Sequence, residues 1–289
     1  MVGDFDLLRF SYFPFVGLHR DIRLMVWGIA TCWILGLGDL NAQTNCEYNP
    51  DVNCDGVIGT MDLLSLLTLF SEQSVVSETP CAGDSVLHWD GHDYGLLEVA
   101  DQCWFSENLR STHYRNGEEI PGPLSDAFWG AAESGAWTIY GEGESNIYDG
   151  SDDEALNLTL YGRLYNWWAV VDERGLCPFG WHVPSELDWD QLSLTFGGDL
   201  ESGMALKASP DDDPPWTGDN ASGFSALPGG KRDDDLGHFS HGTTHAHFWT
   251  SNGSGSIYGW SRLLYTNFGN MSASSEPKNE GLSVRCVKN

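Results

Sequence analysis

Residues 177–192 read CPFGWHVPSELDWDQL and contain the clearest helix start in the chain. Ser185 is a good N-cap, because its side-chain oxygen can accept a hydrogen bond from a free backbone N–H of the first turn. Glu186 and Asp188 add negative charge near the positive end of the helix dipole. The apolar residues that follow are Leu187, Trp189 and Leu192. The stretch therefore predicts a helix that packs on a core.

Outward from this helix, the sequence predicts one further helix, short strands and many turns. Leu164, Trp167, Trp168 and Val171 share one face if residues 162–171 are helical. Strand-like segments are 85–89, 94–99 and 281–286, and turn signals are Asp90-Gly91, Asn116-Gly117 and Gly229-Gly230. The pattern predicts an α+β fold with two helices and small sheets.

Composition limits the class of partner. The 289 residues carry 42 Asp and Glu against 14 Lys and Arg, a formal net charge of -28. Such a surface repels phosphate, so nucleic acid and anionic lipid are excluded as expected partners. The 13 Trp residues predict a packed core, since each buries a large apolar area.

The N-terminal residues 1–43 are predicted to be a signal peptide. Arg20 and Arg23 precede the apolar run LMVWGIATCWILGLG at 24–38, and the small and polar residues Asn41-Ala42-Gln43 follow it. The run is short for a membrane span, which needs about 20 residues, so an uncleaved anchor is the weaker alternative. We expect a secreted protein with no membrane span after signal removal.

Six cysteines remain after residue 43, an even number that predicts disulfides in an oxidising compartment. They are Cys46, Cys54, Cys81, Cys103, Cys177 and Cys286. No two of them form a CxxC pair, so a zinc site built from thiolates has little support. Six cysteines allow 15 connectivities, and spacing alone does not choose between them.

Residues 51–62, DVNCDGVIGTMD, predict a calcium loop. Asp51, Asn53, Asp55 and Asp62 occupy loop positions 1, 3, 5 and 12, and Val57 would offer its carbonyl at position 7. Gly56 and Gly59 lie at positions 6 and 9, where the loop turns and where a water can complete the shell. A leucine-rich helix should follow directly. The alternative is an acidic Asx turn ahead of an ordinary helix.

Residues 46–72 resemble a type I dockerin repeat, which joins such a loop to a leucine-bearing helix. The resemblance implies a small EF-hand-like module that binds calcium and a cohesin-like partner, often in polysaccharide-degrading assemblies. Dockerins usually carry two repeats, whereas this sequence has one before the linker 73–79. Calcium binding is therefore the better supported of the two expectations.

Five motifs follow one another in residues 80–289: QCWFSENL (102–109), YGRLYNWW (161–168), CPFGWHVP (177–184), GFSALPGG (223–230) and SVRC (283–286). Together they resemble the Fibrobacter succinogenes major paralogous domain family. The resemblance implies a secreted, irregular C-type-lectin-like domain with two helices and small twisted sheets, similar to the formylglycine-generating-enzyme fold.

This resemblance also implies a disulfide between Cys177 and Cys286, joining the terminal strand to the helix start. Pairing by proximity then gives Cys81 with Cys103 and Cys46 with Cys54. Formylglycine-generating enzymes use two cysteines shortly before the terminal segment, but residues 263–279 contain none. We therefore expect no such activity.

Two further sets of residues are weaker candidates. The four histidines His238, His241, His245 and His247 could hold zinc or copper, although a solvated polar loop is the plainer interpretation. Exposed aromatic residues near Trp129, Trp137 and Tyr140 could stack on sugar rings, although core positions are the plainer interpretation for most of the Trp residues. The overall prediction is a secreted, non-enzymatic binding or adhesion protein that binds calcium and is linked to glycans. The alternative is a secreted carbohydrate-processing hydrolase.

Overall fold

The structure is a computed structural model that describes residues 57–60, 63–64, 79–99, 101–143 and 149–289. The chain divides into two units, Met1–Ser74 and Val75–Asn289. The predicted signal peptide 1–43, the pair Cys46 and Cys54, and residues 73–78 of the predicted linker lie outside the described residues. No helix within the described ranges is long and apolar enough to cross a membrane.

The second unit is a mixed α+β structure dominated by strands. Its described residues form the strands β1 (Val86–Trp89), β2 (His92–Val99), β3 (Gln102–Phe105), β4 (Trp137–Thr138), β5 (Leu164–Tyr165), β6 (Trp181–His182), β7 (Lys231–Arg232), β8 (Phe239–Ser240), β9 (His245–Ser254), β10 (Tyr258–Tyr265), β11 (Met271–Pro277), β12 (Leu282–Ser283) and β13 (Val287–Lys288). They also form the helices α1 (Asp126–Gly130), α2 (Glu154–Tyr161), α3 (Trp167–Val170), α4 (Glu186–Leu194) and α5 (Ser202–Leu206).

The strands form three sheets. A five-stranded sheet has the order β1-β2-β3-β13-β6, and a six-stranded sheet has the order β11-β10-β9-β12-β5-β4. The strands β7 and β8 form a separate pair. Residues 281–286, predicted as one strand, instead belong to a segment that enters both large sheets, with β12 in one and β13 in the other.

The first hairpin follows directly from its turn residues. Trp89 pairs with His92, which leaves the two-residue loop Asp90-Gly91. Both loop residues have positive φ, 46° and 74°, as the favoured two-residue hairpin turn requires. Asp90 and Gly91 tolerate that backbone conformation well, so the predicted strand and turn are confirmed here.

The helix predicted from Ser185 is confirmed as α4. The Ser185 side chain accepts from the Asp188 N–H, and the Asp188 carboxylate accepts from the Ser185 N–H at 2.7 Å, which completes a capping box. This local chemistry does not depend on the rest of the fold, and the sequence alone was enough to predict it.

The prediction of only two helices in this domain is wrong, since its described residues contain five. The segment 162–171 also differs: Leu164 and Tyr165 form strand β5, and α3 covers only Trp167–Val170. Strand β5 pairs with both β4 and β12, and the Asn166 side chain then caps α3 by accepting from the Ala169 N–H. Pairing with distant strands outweighs the helical spacing of the apolar residues.

Aromatic residues fill the two larger of the three buried apolar clusters in the described part of the chain. In one, Tyr94 stacks on Phe105 with ring centroids 4.6 Å apart. In the other, Trp104 and Trp189 lie 5.0 Å apart and pack with Phe224 and Phe248. The first core also contains the disulfides Cys81–Cys103 and Cys177–Cys286. Both predicted pairings are therefore present, and the second joins residues 109 positions apart.

Candidate functional site

The predicted calcium loop lies almost entirely outside the described residues. Asp51, Asn53, Asp55 and Asp62 are among the residues that the structure does not describe, and Val57 is described and 65% exposed. Thr60, Leu63 and Leu64 are helical, and the Leu63 N–H donates to the Gly59 carbonyl at 3.2 Å. The calcium ligands remain a prediction.

The three aromatic residues predicted to form a sugar-stacking surface are buried, so that prediction is wrong. Trp129, Trp137 and Tyr140 are 0%, 9% and 1% exposed. Arg232 packs over the Trp129 ring at 4.7 Å, and the Tyr140 hydroxyl donates to the Asp149 carbonyl. These rings hold loops onto the core and cannot reach a glycan.

The predicted histidine cluster is partly exposed and partly buried, so the solvated polar loop describes only some of its residues. His245 and His247 lie on β9, and His247 is 4% exposed. The His241 and His245 rings have centroids 4.3 Å apart, and His247 lies 5.9 Å and 5.6 Å from them. Across the described ranges, no three His, Cys, Asp or Glu side chains already form a metal-binding arrangement.

A groove of about 510 Å³ lies between the turn that joins β9 to β10, the end of β11, and the residues that follow α1. Its lining combines aromatic rings with charged and amide side chains: Trp168, Tyr258, Lys278, Asn279, Glu133 and Asp234. Tyr258 is 40% exposed, and Trp168 is partly exposed. Aromatic surface is thus accessible at the groove, in contrast to the three buried rings.

Hydrogen bonds fix the Trp168 side of the groove. The Trp168 Nε1–H donates to Asn279 Oδ1 at 2.7 Å, and Asn279 Nδ2 donates to the Gly130 carbonyl at 2.8 Å. Asn279 therefore links the Trp168 ring to the end of α1. A ring held at both its edge and its backbone loses little freedom when a ligand stacks on it.

Lys278 supplies the positive charge of the groove. Its Nζ lies 4.3 Å from the Trp167 ring and 5.1 Å from the Trp168 ring, and it donates to the Ser256 carbonyl at 2.9 Å. These contacts hold the ammonium group beside the aromatic surface. It remains partly exposed, with donors for a ligand oxygen.

Two carboxyl groups supply hydrogen-bond acceptors to the groove. Glu133 is exposed, whereas Asp234 is partly buried. Burial, with a smaller effect from Asp235 and Asp233, raises the pKa of Asp234 above its ordinary value. Donors, acceptors and apolar rings together suit a hydroxyl-rich ligand that also has apolar faces.

A second cleft, of about 540 Å³, is a weaker candidate because the arginine that lines it, Arg232, already donates hydrogen bonds to the protein. Arg232 is 2% exposed and donates to Thr138 Oγ1, Asp126 Oδ1 and the Leu124 and Gly237 carbonyls. This guanidinium joins four segments of the chain. Its role is structural.

Sequence reasoning missed the groove because its residues come from distant segments. Helical spacing predicts that Trp167 and Trp168 lie on a buried helix face, and the sequence predicts no strand ahead of Lys278 and Asn279. The available signal was local: two adjacent Trp side chains cannot both face the same core.

Fold and groove together define a disulfide-linked α+β domain with a partly aromatic groove on its surface. The protein-family model described as the Fibrobacter succinogenes major domain matches residues 97–288. The chain belongs to this family. No curated protein and no solved structure matches the chain.

Proposed function

We propose that this chain is a secreted, non-enzymatic binding protein that holds a neutral glycan in the groove at Trp168. One observation carries the proposal: Trp168 and Tyr258 offer accessible ring surface in a groove that also contains Lys278 and two carboxyl groups. The apolar face of a sugar ring stacks on an aromatic side chain, while its hydroxyls need donors and acceptors around the rim.

Each lining residue then has a distinct part. Trp168 supplies the stacking face, and Asn279 positions it, since both its amide atoms are used by Trp168 and Gly130. Lys278 donates to sugar oxygens, and Glu133 and Asp234 accept from sugar hydroxyls. Tyr258 extends the apolar surface along the groove.

Charge favours a neutral polysaccharide over an anionic one. The whole chain has a formal net charge of -28, and Lys278 is accompanied in the groove by Glu133 and Asp234. An anionic sugar would meet net repulsion on approach. The ligand class that fits is therefore an uncharged glycan.

The N-terminal module completes the proposal. Asp51, Asn53, Asp55 and Asp62, with the Val57 carbonyl, would bind calcium and order a dockerin-like segment that docks onto a cohesin-like protein. Such a module would fix a glycan-binding domain to a cell surface or to a polysaccharide-degrading assembly. Secretion agrees with the predicted signal peptide and with the two disulfides of the domain.

A C-type-lectin-like relation belongs to the same proposal. It is supported by the disulfide between Cys286 and Cys177, which ties the terminal strands to the segment ahead of α4. Small sheets joined by long irregular connections are also typical of that fold. An experimental structure compared with lectin-like domains would test the relation.

The test is a neutral-glycan array followed by calorimetry on any bound polysaccharide. Wild type should bind, and Trp168→Ala should weaken binding at least about fivefold, because a stacked ring contributes about 1 kcal/mol. Tyr258→Ala should have a smaller effect. Phe179→Ala is the control, since this ring is 79% exposed but does not line the groove. Equal binding by wild type and Trp168→Ala would remove the groove from the proposal.

A hydrolase is the second candidate, because Glu133 and Asp234 line the same groove and glycoside hydrolysis needs two carboxyl groups. The raised pKa of Asp234 is in the direction that a general acid requires. Release of reducing ends from a polysaccharide by wild type, abolished in both Glu133→Gln and Asp234→Asn, would replace the binding proposal. Binding without release would retain it.

A further inference from the structure

The segment 241–247, HGTTHAH, brings three imidazole rings together. His245 and His247 are two positions apart on β9, so their side chains leave the same face of the strand. His241 lies in the turn before β9, where its backbone is left-handed with a φ of 63°. The centroid of its ring is 4.3 Å from the centroid of the His245 ring. Three histidines are therefore gathered at the start of one strand.

The spacing of the rings fits a single metal ion. With metal–nitrogen distances of about 2.0–2.1 Å, ring centroids around one tetrahedral ion lie about 5 Å apart. The three centroid distances here are 4.3, 5.6 and 5.9 Å. The ring centroids are therefore close enough for one ion, and the orientation of the nitrogens is the part that must change.

His247 supplies an independent observation. Its side chain is buried, at 4% exposure, and neither Nδ1 nor Nε2 has a hydrogen-bond partner. Leaving a buried polar atom unpaired costs about 1–3 kcal/mol. A metal ion bound by one of these nitrogens would satisfy a lone pair that the protein leaves unused.

The other two rings keep nitrogens available for a ligand. His245 Nδ1 lies 2.7 Å from Thr244 Oγ1, and His241 Nδ1 lies 3.3 Å from Ser240 Oγ. When each hydroxyl accepts from Nδ1–H, the Nε2 lone pair is free to bind a metal, and the ring orientation is fixed.

The surrounding charges permit a cation. Lys231 acts electrostatically on His245 and His247, but its Nζ is 2.7 Å from Glu280 Oε1 and 3.4 Å from Asp233 Oδ1. Asp149 is a further acidic neighbour, whose Oδ1 accepts from the Gly242 N–H at 3.0 Å. Burial raises the pKa of Glu280 to about 8, and Asp233 and Asp149 supply the negative charge that offsets the Lys231 ammonium, so a divalent ion is not repelled.

The geometry points to a transition-metal site formed by His241, His245 and His247, distinct from the proposed calcium loop and from the glycan groove. Imidazole ligands suit Zn²⁺, Ni²⁺ or Cu²⁺ and not Ca²⁺. The ligating atoms are not yet collected around one point, so binding requires rotation of the partly exposed His241 and His245 rings toward His247. A water would complete four ligands.

Metal binding is tested on the full chain after chelator treatment and dialysis. Calorimetry with Zn²⁺ in the presence of excess Ca²⁺ should show one ion per chain. His241→Ala and His245→Ala should each weaken binding at least about tenfold, as loss of a ligand does. Both rings are partly exposed, so these variants should fold. His88→Ala is the control, because this histidine lies on the distant β1 strand and is exposed.

A spectroscopic readout separates a built site from loose association. Bound Co²⁺ should give the visible absorption of tetrahedral nitrogen coordination in wild type and in His88→Ala, and the bands should be lost in His241→Ala. The proposal is overturned if Zn²⁺ binds wild type and His241→Ala equally, or if no ion binds.

Discussion

His182 Nε2 lies 3.1 Å from Asp188 Oδ2, so the residue that completes the capping box of α4 also bonds to the strand β6. Burial alone would raise the pKa of Asp188, but hydrogen bonds from His182 and Ser185 outweigh it and lower that pKa to about 2. The hydrogen bond to Asp188 raises the pKa of His182. The pair joins a helix start to the five-stranded sheet.

Asp188→Asn should reduce the free energy of unfolding by about 1 kcal/mol at pH 5–6, because it removes the negative charge at the helix start and the charge-assisted hydrogen bonds of the carboxylate to His182 and Ser185. A carboxyl with a lowered pKa in the folded state stabilises above its unfolded value of 3.8 and stops stabilising as the pH falls toward 2. A histidine with a raised pKa stabilises below 6.5, and this contribution disappears as the pH rises through the raised value. The pair therefore contributes most between about pH 4 and 6.5.

Urea denaturation of wild type and Asp188→Asn from pH 3 to pH 8 measures this contribution. The difference between them should narrow below about pH 4, with the exposed Asp152→Asn as the control. A difference that stays constant over the whole range would show that the carboxylate charge is not involved.

The two disulfides should contribute unequally to stability. Cys177–Cys286 closes a loop of 109 residues and Cys81–Cys103 one of 22, so the chain-entropy model gives about 5 and about 3 kcal/mol. Thermal unfolding of Cys177→Ser/Cys286→Ser and of Cys81→Ser/Cys103→Ser should show the larger loss in the first variant. The opposite order would mean that local strain or packing, and not loop length, decides.

Thiol titration under denaturing conditions checks the pairing itself. Secreted wild-type protein should have no free thiol, since four cysteines are paired in the structure and Cys46 with Cys54 is predicted to be paired. Two or more titratable thiols per chain would contradict complete pairing.

Gly259 and Gly253 face each other across β9 and β10, yet only one of them should tolerate a side chain. A Cβ at Gly259 would overlap the Trp167 ring, whereas a Cβ at Gly253 would make an ordinary contact with that ring at 3.4 Å. Gly259→Ala should therefore cost about 1–3 kcal/mol, the usual cost of overpacking, and should displace the ring beneath Lys278. Gly253→Ala should change the free energy of unfolding by less than about 0.5 kcal/mol.

Thermal unfolding and near-UV circular dichroism measure these two effects, because a moved Trp ring alters the aromatic signal. Equal stability of the two variants would mean that Trp167 is free to move aside.

Calcium binding should be confined to the N-terminal loop. Calorimetry on the full chain should give a dissociation constant between about 10⁻⁶ and 10⁻³ M, the range from sensor to extracellular sites. Asp51→Ala and Asp62→Ala should each abolish the measured heat, because each removes a carboxylate ligand. Binding that survives both substitutions would mean that residues 51–62 form only an acidic turn.

Local chemistry was readable from the sequence, and long-range placement was not. The capping residue Ser185 and the turn residues Asp90-Gly91 act on their immediate neighbours, so their structures follow from a few adjacent residues. Burial of Trp129 depends on Arg232, about a hundred positions later, and no local pattern encodes that contact.

The groove illustrates the same limit. Trp168 is accessible there because Asn279 holds its indole N–H, and these residues are 111 positions apart. Helical spacing in residues 162–171 favoured a longer helix with a buried face. In the structure, Leu164 and Tyr165 pair with β4 and β12, so the helix begins only at Trp167 and the Trp168 side chain is partly exposed.

Residues 282–288 contribute one strand to each of the two large sheets. Cys286 lies between these two strands in the sequence and is bonded to Cys177. Neither sheet is continuous without this segment: β12 lies between β9 and β5, and β13 lies between β3 and β6. Both sheets therefore stay divided until these seven residues pair with strands that lie far from them in the sequence. Closure of the domain has a high contact order, so it should be slow compared with the formation of the β1–β2 hairpin.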